Sequence, residues 1–112
     1  MMANSSIKTI TALQLKELLS HEDASLLVLD VREAKELKIC TLPTFLHIPL
    51  GDLPREWEQL PQDRIIVTVC HHGYRSLQAA IFLMSHGFEK VLNLEGGIQA
   101  WANQVDPLMV QY

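Results

Sequence analysis

The stretch IIVTVCHHGYRS, residues 65–76, decides the fold of this chain. Its first five residues are all β-branched, which is typical of a strand buried on both faces of a parallel sheet. Beyond the polar loop, apolar residues recur at helical spacing at Leu77, Ala80, Ile81 and Met84. Gly87 predicts the end of that helix, because glycine readily adopts the left-handed conformation that often follows one. The stretch therefore predicts a strand, a loop and a helix, with Cys70 at the carboxyl end of the strand.

The rest of the chain repeats this alternation of strands and helices. Thr11 and Gln14 have the spacing of a capping box at the start of a leucine-rich helix. Residues 26–29, LLVL, which Asp30 ends, and 91–94, VLNL, are short apolar runs typical of buried strands. Weaker signals predict a strand over 44–48, a turn at Gly96-Gly97 and a helix over 98–103. The pattern predicts an α/β fold with a mainly parallel central sheet flanked by helices on both faces.

Length and charge narrow the classes of function. A chain of 112 residues has room for one compact domain, so residues 1–112 are expected to form a single domain. The net charge of −4 predicts neither a nucleic-acid partner nor a membrane surface, which leaves small molecules and proteins as partners. The opening residues lack the pattern of a secretory leader, and no segment is apolar enough to span a bilayer. A cytoplasmic location is expected.

Cys70 and its loop carry the predicted chemistry. A short loop between a parallel strand and a helix directs backbone N–H groups inward, and the helix adds its positive N-terminal end. Such a site binds anions and favours the thiolate form of a cysteine. Gly73 lets the loop turn, and Arg75 adds a permanent positive charge. Cysteines are often inert core residues, but a run of His, His, Gly, Tyr and Arg would fill a core poorly.

The remaining histidines and cysteine suggest no metal site. His71 and His72 are adjacent in a tight loop and point in different directions, and no acidic or cysteine cluster completes a ligand set. Their amides are predicted to line the loop, with the imidazoles adjusting charge at its edge. Cys40 and Cys70 are too few for a disulfide framework, so both are expected to be reduced. Cys40 is interpreted as a small core residue, with a resolving thiol as the minor alternative.

With the Cys70 loop and its other motifs, the chain resembles the rhodanese (sulfurtransferase) family, and the resemblance covers nearly its whole length. Single motifs are weak, but their order is specific. The landmarks are Ile10-Thr11, Leu29-Asp30-Val31-Arg32-Glu33 with Glu36, His47-Ile48-Pro49-Leu50, Cys70-His71-His72-Gly73-Tyr74-Arg75-Ser76, Gly87-Phe88, and Leu94-Glu95-Gly96-Gly97-Ile98 with Trp101. The chain departs from the usual family pattern at two places. It has Cys40-Thr41 where the family usually has a Gly-His pair, and Thr44-Phe45 where the family usually has a small Gly-Ala pair.

The resemblance implies a rhodanese-like fold and a thiosulfate sulfurtransferase type of enzyme without a metal or organic cofactor. It implies that Cys70 carries a persulfide and that the loop amides hold the outer sulfur. The loop residues are His71, His72, Gly73, Tyr74, Arg75 and Ser76. Asp30 and Arg32 are expected to brace the loop. The donor would be thiosulfate or a persulfide, and the acceptor a thiol, cyanide or a protein.

Two alternatives stay open from the sequence. Phosphatases and arsenate reductases of the same superfamily use a similar loop with five residues between cysteine and arginine, whereas four separate Cys70 from Arg75. One residue fewer shortens the loop by about 3.8 Å of chain, which suits a sulfur atom better than a phosphate. The second alternative is a sulfur-carrier or docking module without significant turnover.

Overall fold

A single parallel sheet organises the molecule. The computed structural model describes residues 7–21 and 25–112, and it contains five strands in the order β1-β5-β4-β2-β3, every neighbouring pair parallel. The strands are β1 Lys8–Ile10, β2 Leu26–Asp30, β3 Leu46–His47, β4 Ile65–Val69 and β5 Val91–Leu94. Because all strands run the same way, their carboxyl ends meet along one edge, where ligands bind in sheets of this kind.

Within the described residues, four helices connect successive strands and a fifth follows β5. They are α1 Ala12–Ser20, α2 Ala34–Leu37, α3 Leu53–Glu56, α4 Tyr74–Ser85 and α5 Gly97–Gln104, with short 3₁₀ turns at Leu50–Asp52 and Trp57–Gln59. The predicted capping box of α1 is present, since Gln14 N–H bonds the Thr11 hydroxyl and the Gln14 side chain accepts from Thr11 N–H. The predicted left-handed Gly87 follows α4 with a φ of 97°.

The core lies on both faces of the sheet because alternate strand residues point to opposite sides. Ile66 packs in one cluster with Leu29, Ala80 and Leu83, on the side covered by α4. The next residue, Val67, packs in a second cluster that includes residues of α1 and α5. That cluster contains Leu15, Val28, Val69, Leu94, Ile98 and Trp101, among others. Burial on both faces explains why the strands are continuous apolar runs.

The predicted fold class is confirmed, with corrections in detail. The edge strand β1 was not predicted, and the strand expected over 44–48 is only Leu46–His47. The last helix begins at Gly97 and ends at Gln104, slightly longer than the predicted 98–103. Among the described helices, none has the length and apolar character needed to cross a membrane. The prediction about the opening segment falls largely on residues 1–6, outside the described part.

Candidate active site

Cys70 lies directly after the central strand β4, and its side chain is buried. Its Sγ accepts hydrogen bonds from the backbone N–H groups of Gly73, at 3.1 Å, and Ser76, at 3.3 Å. The Ser76 hydroxyl oxygen lies 3.3 Å from the same sulfur. We call residues 70–76 the sulfur cradle. The start of α4 thus directs two backbone N–H groups and one hydroxyl group toward the sulfur.

Backbone packing against α5 holds the cradle in this orientation. Ile98 N–H donates to the Cys70 carbonyl at 2.9 Å, and Gln99 N–H donates to the His71 carbonyl at 3.1 Å. With those carbonyls turned toward α5, the later N–H groups of the loop can face the sulfur. A Cβ atom on Gly97 would lie within 2.3 Å of the Cys70 carbonyl oxygen, so only glycine permits this close approach. Gly73 is left-handed, with a φ of 105°.

A buried polar network supports the cradle from the sheet. The Ser76 hydroxyl donates to Asn93 Oδ1 at 2.5 Å, and Asn93 Nδ2 donates to the Gly73 carbonyl at 3.1 Å. Thr68 Oγ1 lies 3.4 Å from the same Asn93 oxygen. Asn93 is a site residue that sequence reasoning missed. Its signal was a single amide inside the apolar strand β5, where an unpaired polar group would be costly.

Arg75 forms an ion pair with Glu36 at the edge of the cradle. Its two terminal nitrogens donate to the two carboxylate oxygens at 2.7 and 2.9 Å, the forked geometry of a strong pair. The Arg75 guanidinium lowers the pKa of Glu36 to about 2, and Glu36 in turn raises the pKa of Arg75. Glu36 is one of the residues on which the family resemblance rests, but no role was predicted for it. Its charge compensates that of Arg75.

Asp30 and Arg32 form a second ion pair below the first. Both side chains are fully buried, and Arg32 donates three side-chain hydrogen bonds to the Asp30 carboxylate at 2.8 to 3.1 Å. Burial works against the charged form, but the hydrogen bonds and charge of Asp30, together with the interaction with Tyr112, outweigh it and raise the pKa of Arg32. Arg32 also donates to the Cys40 carbonyl at 2.9 Å. We call residues 30–36 the brace, because their polar groups mainly bond one another and neighbouring backbone.

Three rings lie beside the cradle. His71 stacks between His72, with ring centroids 3.9 Å apart, and Tyr112, with centroids 3.8 Å apart. Burial, followed by repulsion from His72, lowers the pKa of His71. Burial likewise raises the pKa of Tyr112 to about 12. Tyr74, also predicted as a site residue, has its side chain directed to solvent and is 77% exposed.

The structure therefore brings the predicted site residues together at one edge of the sheet. Cys70, Gly73 and Ser76 meet at the sulfur, whereas Arg75 is joined to the brace through Glu36. Within residues 7–21 and 25–112, no group of three or more His, Cys, Asp or Glu side chains could hold a metal ion. The molecule is an α/β protein with a buried cysteine whose sulfur faces backbone N–H groups at the start of a helix.

Comparisons with known proteins identify the family. The model of the rhodanese-like domain family matches residues 11–104, and the chain belongs to that family, as the sequence resemblance predicted. A sulfurtransferase from Allochromatium vinosum is 39% identical over 83 residues, which cover 74% of this chain and 78% of that protein.

Solved structures agree on the fold. A rhodanese-related protein from Thermoplasma volcanium superposes with a TM-score of 0.79 at 34% identity, covering 88% of this chain and 93% of the other. A protein from Rhodopseudomonas palustris, described as of unknown function and a possible tyrosine phosphatase, superposes with a TM-score of 0.80 at 27% identity. That match covers 90% of this chain and 83% of the other.

Proposed function

We propose that this protein is a sulfurtransferase that moves sulfane sulfur through a persulfide on Cys70. The observation that carries the proposal is the sulfur of Cys70 facing the N–H groups of Gly73 and Ser76 at the start of α4. These donors stabilise a thiolate before the reaction and a negatively charged persulfide after it. The family membership and the sulfurtransferase relative support the same chemistry.

The first step loads sulfur onto Cys70. The thiolate attacks the outer sulfur of thiosulfate, forming a new S–S bond. The S–S bond of the donor breaks, and its electron pair leaves with sulfite. A persulfide donor reacts in the same way and releases a thiolate. Charge is conserved, because one anionic sulfur on the protein is exchanged for another, so the donors of the cradle stay engaged throughout.

The second step unloads the sulfur. An acceptor thiolate, or cyanide, attacks the outer sulfur of the persulfide and takes it, and the bond electrons return to Cys70 as thiolate. The acceptor becomes a persulfide, or thiocyanate in the case of cyanide. Two displacements of this kind need no metal or organic cofactor. A protein thiol would serve as acceptor by the same route.

The Ser76 hydroxyl is placed so that it can change its hydrogen-bond partner when the charge on the Cys70 sulfur changes. In the structure its hydroxyl donates to Asn93, which leaves its oxygen free to accept from the Cys70 thiol. When the thiol ionises, the hydroxyl can rotate toward Sγ, and Asn93 keeps Thr68 as its neighbour at 3.4 Å. We propose that Ser76 is the adjustable donor of the cradle, and that the N–H groups are its fixed donors.

The pairing of Arg75 changes the expected route of donor binding. Both guanidinium groups near the site are compensated, Arg75 by Glu36 and Arg32 by Asp30. Attraction of an anionic donor then depends mainly on the backbone N–H groups and the N-terminal end of α4. We propose that Asp30 and Arg32 act as supports, and that the backbone amides of the loop residues 71–76 hold the transferred sulfur.

Sulfur loading provides the test. The protein is incubated with thiosulfate or with glutathione persulfide, and its intact mass is measured before and after reduction. We expect a reductant-reversible gain of one sulfur atom that is absent from Cys70→Ser. The control Cys40→Ser should load normally, because the contact of Cys40 with Arg32 is made by its backbone carbonyl. An adduct that persists in Cys70→Ser would place the nucleophile elsewhere.

The phosphatase alternative has one observation in its favour, the likeness to the Rhodopseudomonas palustris protein described as a possible tyrosine phosphatase. The four residues between Cys70 and Arg75 argue against it, as does the engagement of Arg75 by Glu36. Release of phosphate from an aryl phosphate and thiocyanate production from thiosulfate and cyanide are measured side by side. Phosphate release without thiocyanate production would favour the phosphatase function over the sulfurtransferase function.

A sulfur carrier would load sulfur without turning over, whereas a docking module would take up no sulfur. Repeated thiocyanate formation by one protein molecule separates an enzyme from either. We further propose that the chain acts as one rhodanese domain, which the single sheet with a core on each face supports. A reducing compartment such as the cytoplasm suits this chemistry, and both cysteines are unpaired.

A further inference from the structure

Tyr112 reaches the site from the segment that follows α5. Its hydroxyl accepts a hydrogen bond from Arg32 Nη1 at 2.8 Å and donates one to Glu36 Oε2 at 2.8 Å. Its ring lies nearly parallel to that of His71, with an angle of 11° between the planes. These contacts place one side chain against both the brace and the cradle.

The hydroxyl joins two ion pairs that would otherwise be separate. Asp30 holds Arg32, and Glu36 holds Arg75, but neither pair bonds the other directly in the described contacts. With Tyr112 between Arg32 and Glu36, the groups form one continuous series of hydrogen bonds. Its far end is Arg75, on the first turn of α4, one residue before an amide that bonds Cys70 Sγ.

The Tyr112 ring contacts His71, at the other end of the cradle. His71 is the residue next to Cys70, and Tyr112 covers the face of its imidazole opposite His72. The preceding residue is also fixed, because Gln111 accepts a hydrogen bond from Gln99 at 2.8 Å. Gln99 N–H in turn bonds the His71 carbonyl. Both the backbone and the ring of His71 are therefore held from the same side.

The location of Tyr112 does not suit a role in the core. The residue is 37% exposed and belongs to neither core cluster, and its ring and hydroxyl contacts are with Arg32, Glu36 and His71. The neighbouring apolar residues Leu108 and Val110 are 92% and 62% exposed. An aromatic residue with such partners contributes order at the site more than buried area.

We propose that Tyr112 is a positioning residue for sulfur transfer: it fixes His71 through its ring and the first turn of α4 through the Arg32, Glu36 and Arg75 series. The inference rests on the proposed function, since it assigns Tyr112 to the geometry of the same cradle. Small misplacements of reacting groups reduce rates strongly, so loss of this support should slow loading of Cys70.

Two variants separate the ring from the hydroxyl. Tyr112→Phe keeps the stacked ring and loses both hydrogen bonds, whereas Tyr112→Leu loses both features. Loading of Cys70 is followed by intact mass at saturating thiosulfate and at saturating glutathione persulfide. We expect the rate constant at saturation to fall about 10-fold in Tyr112→Leu and about 3-fold in Tyr112→Phe. Leu108→Ala, in the same segment, is the control and should load like the wild type.

A spectroscopic readout distinguishes positioning from general loss of stability. Because the Tyr112 ring stacks on His71, it should shift the ring proton resonances of His71. They should move in Tyr112→Leu and stay close to wild type in Tyr112→Phe, while the urea midpoint of both variants stays close to that of Leu108→Ala. The charged and titratable groups facing His71 are His72, Glu36, Arg75, Arg32 and the stacked Tyr112, so titration of its ring is recorded at fixed ionic strength.

The outcomes separate the two proposals. Loading of Tyr112→Leu at the wild-type rate would overturn this inference and leave the proposed function intact. A slower rate with unchanged His71 resonances and a lowered urea midpoint would also overturn it, because stability alone would then explain the loss. A wild-type protein that takes no sulfur from either donor would overturn the proposed function and this inference with it.

Discussion

The cradle and the brace both follow a parallel strand at the same edge of the sheet, yet their polar groups are used differently. In the cradle, backbone N–H groups and one hydroxyl converge on the single sulfur of Cys70. In the brace, the Asp30 carboxylate is occupied by the Arg32 side chain and the Arg32 backbone N–H. One loop presents its donors to the atom proposed to react, and the other mainly pairs charged side chains with each other.

The contrast shows how a small domain separates reactivity from support. Backbone N–H groups keep their positions whatever charge the sulfur carries, so they suit an atom that changes partners during a reaction. Paired side-chain charges suit a fixed support, because breaking a buried pair leaves an uncompensated ion. Arg75 and Glu36 connect the two loops. Variants in the cradle should therefore change sulfur loading, and variants in the brace should change stability.

The largest effect is expected in the brace. Asp30→Asn leaves the fully buried Arg32 guanidinium without its counter-charge, and we expect the free energy of unfolding to fall by about 3 kcal/mol. Urea denaturation measures it. The control Asp52→Asn removes the partner of Arg55 in an exposed ion pair and should change the value by about 0.5 kcal/mol or less. Equal effects of the two variants would contradict the assignment of Asp30 as a support.

An intermediate effect is expected in the cradle. Ser76→Ala removes the adjustable donor, and we expect sulfur loading to slow about 10-fold, with a loss of only about 1 kcal/mol in the free energy of unfolding. Loading is measured by intact mass under single-turnover conditions. Ser85→Ala, at the exposed end of the same helix, is the matched control and should load normally. If Ser76→Ala lost stability and kept its loading rate, the comparison between the loops would fail.

The smallest effect is expected where the loops meet. The pKa of Glu36 is about 2 in the folded protein, against an ordinary value of 4.5, so the unfolded chain binds its proton first as pH falls. The stabilisation by the Glu36 pair is fully present above about pH 4.5 and is lost on acidification toward pH 2. It should be on the order of 1 kcal/mol, because the Arg75 side chain is 36% exposed and solvent screens the pair.

Glu36→Gln tests this pH dependence. Urea denaturation of wild type and variant at several pH values between neutrality and pH 2 gives the difference in free energy of unfolding. That difference should be largest at neutral pH and shrink as the solution is acidified through the stated window. A difference that stays constant with pH would show that the charge of Glu36 contributes no stability.

The sequence predicted the parts of the molecule that depend on local pattern. The β-branched run 65–69 identified β4, and the spacing of Leu77 and its successors identified α4, because periodicity reflects burial. The strand, loop and helix then located Cys70 without knowledge of distant residues. The edge strand β1 was missed, since three residues with only Ile10 buried carry almost no periodicity.

The partners across the site were harder to predict. Glu36 and Arg75 are 39 residues apart in sequence, Ser76 and Asn93 are 17 apart, and Tyr112 and Glu36 are 76 apart. Such pairs depend on how loops from different strands approach one another at the edge of the sheet. The family resemblance includes Glu36, but only the packing shows that its carboxylate forms an ion pair with the Arg75 guanidinium.

The central position of β4 determines where motion is possible. This strand is hydrogen-bonded to β2 on one side and β5 on the other, so Cys70 emerges from the interior of the sheet. Strands paired on both sides open only when much of a domain opens, whereas helix ends and loops open locally. The proposed nucleophile is therefore anchored on the rigid side. We therefore expect any local motion that admits a bulky donor to occur in the first turn of α4 and in the stacked rings of His71, His72 and Tyr112.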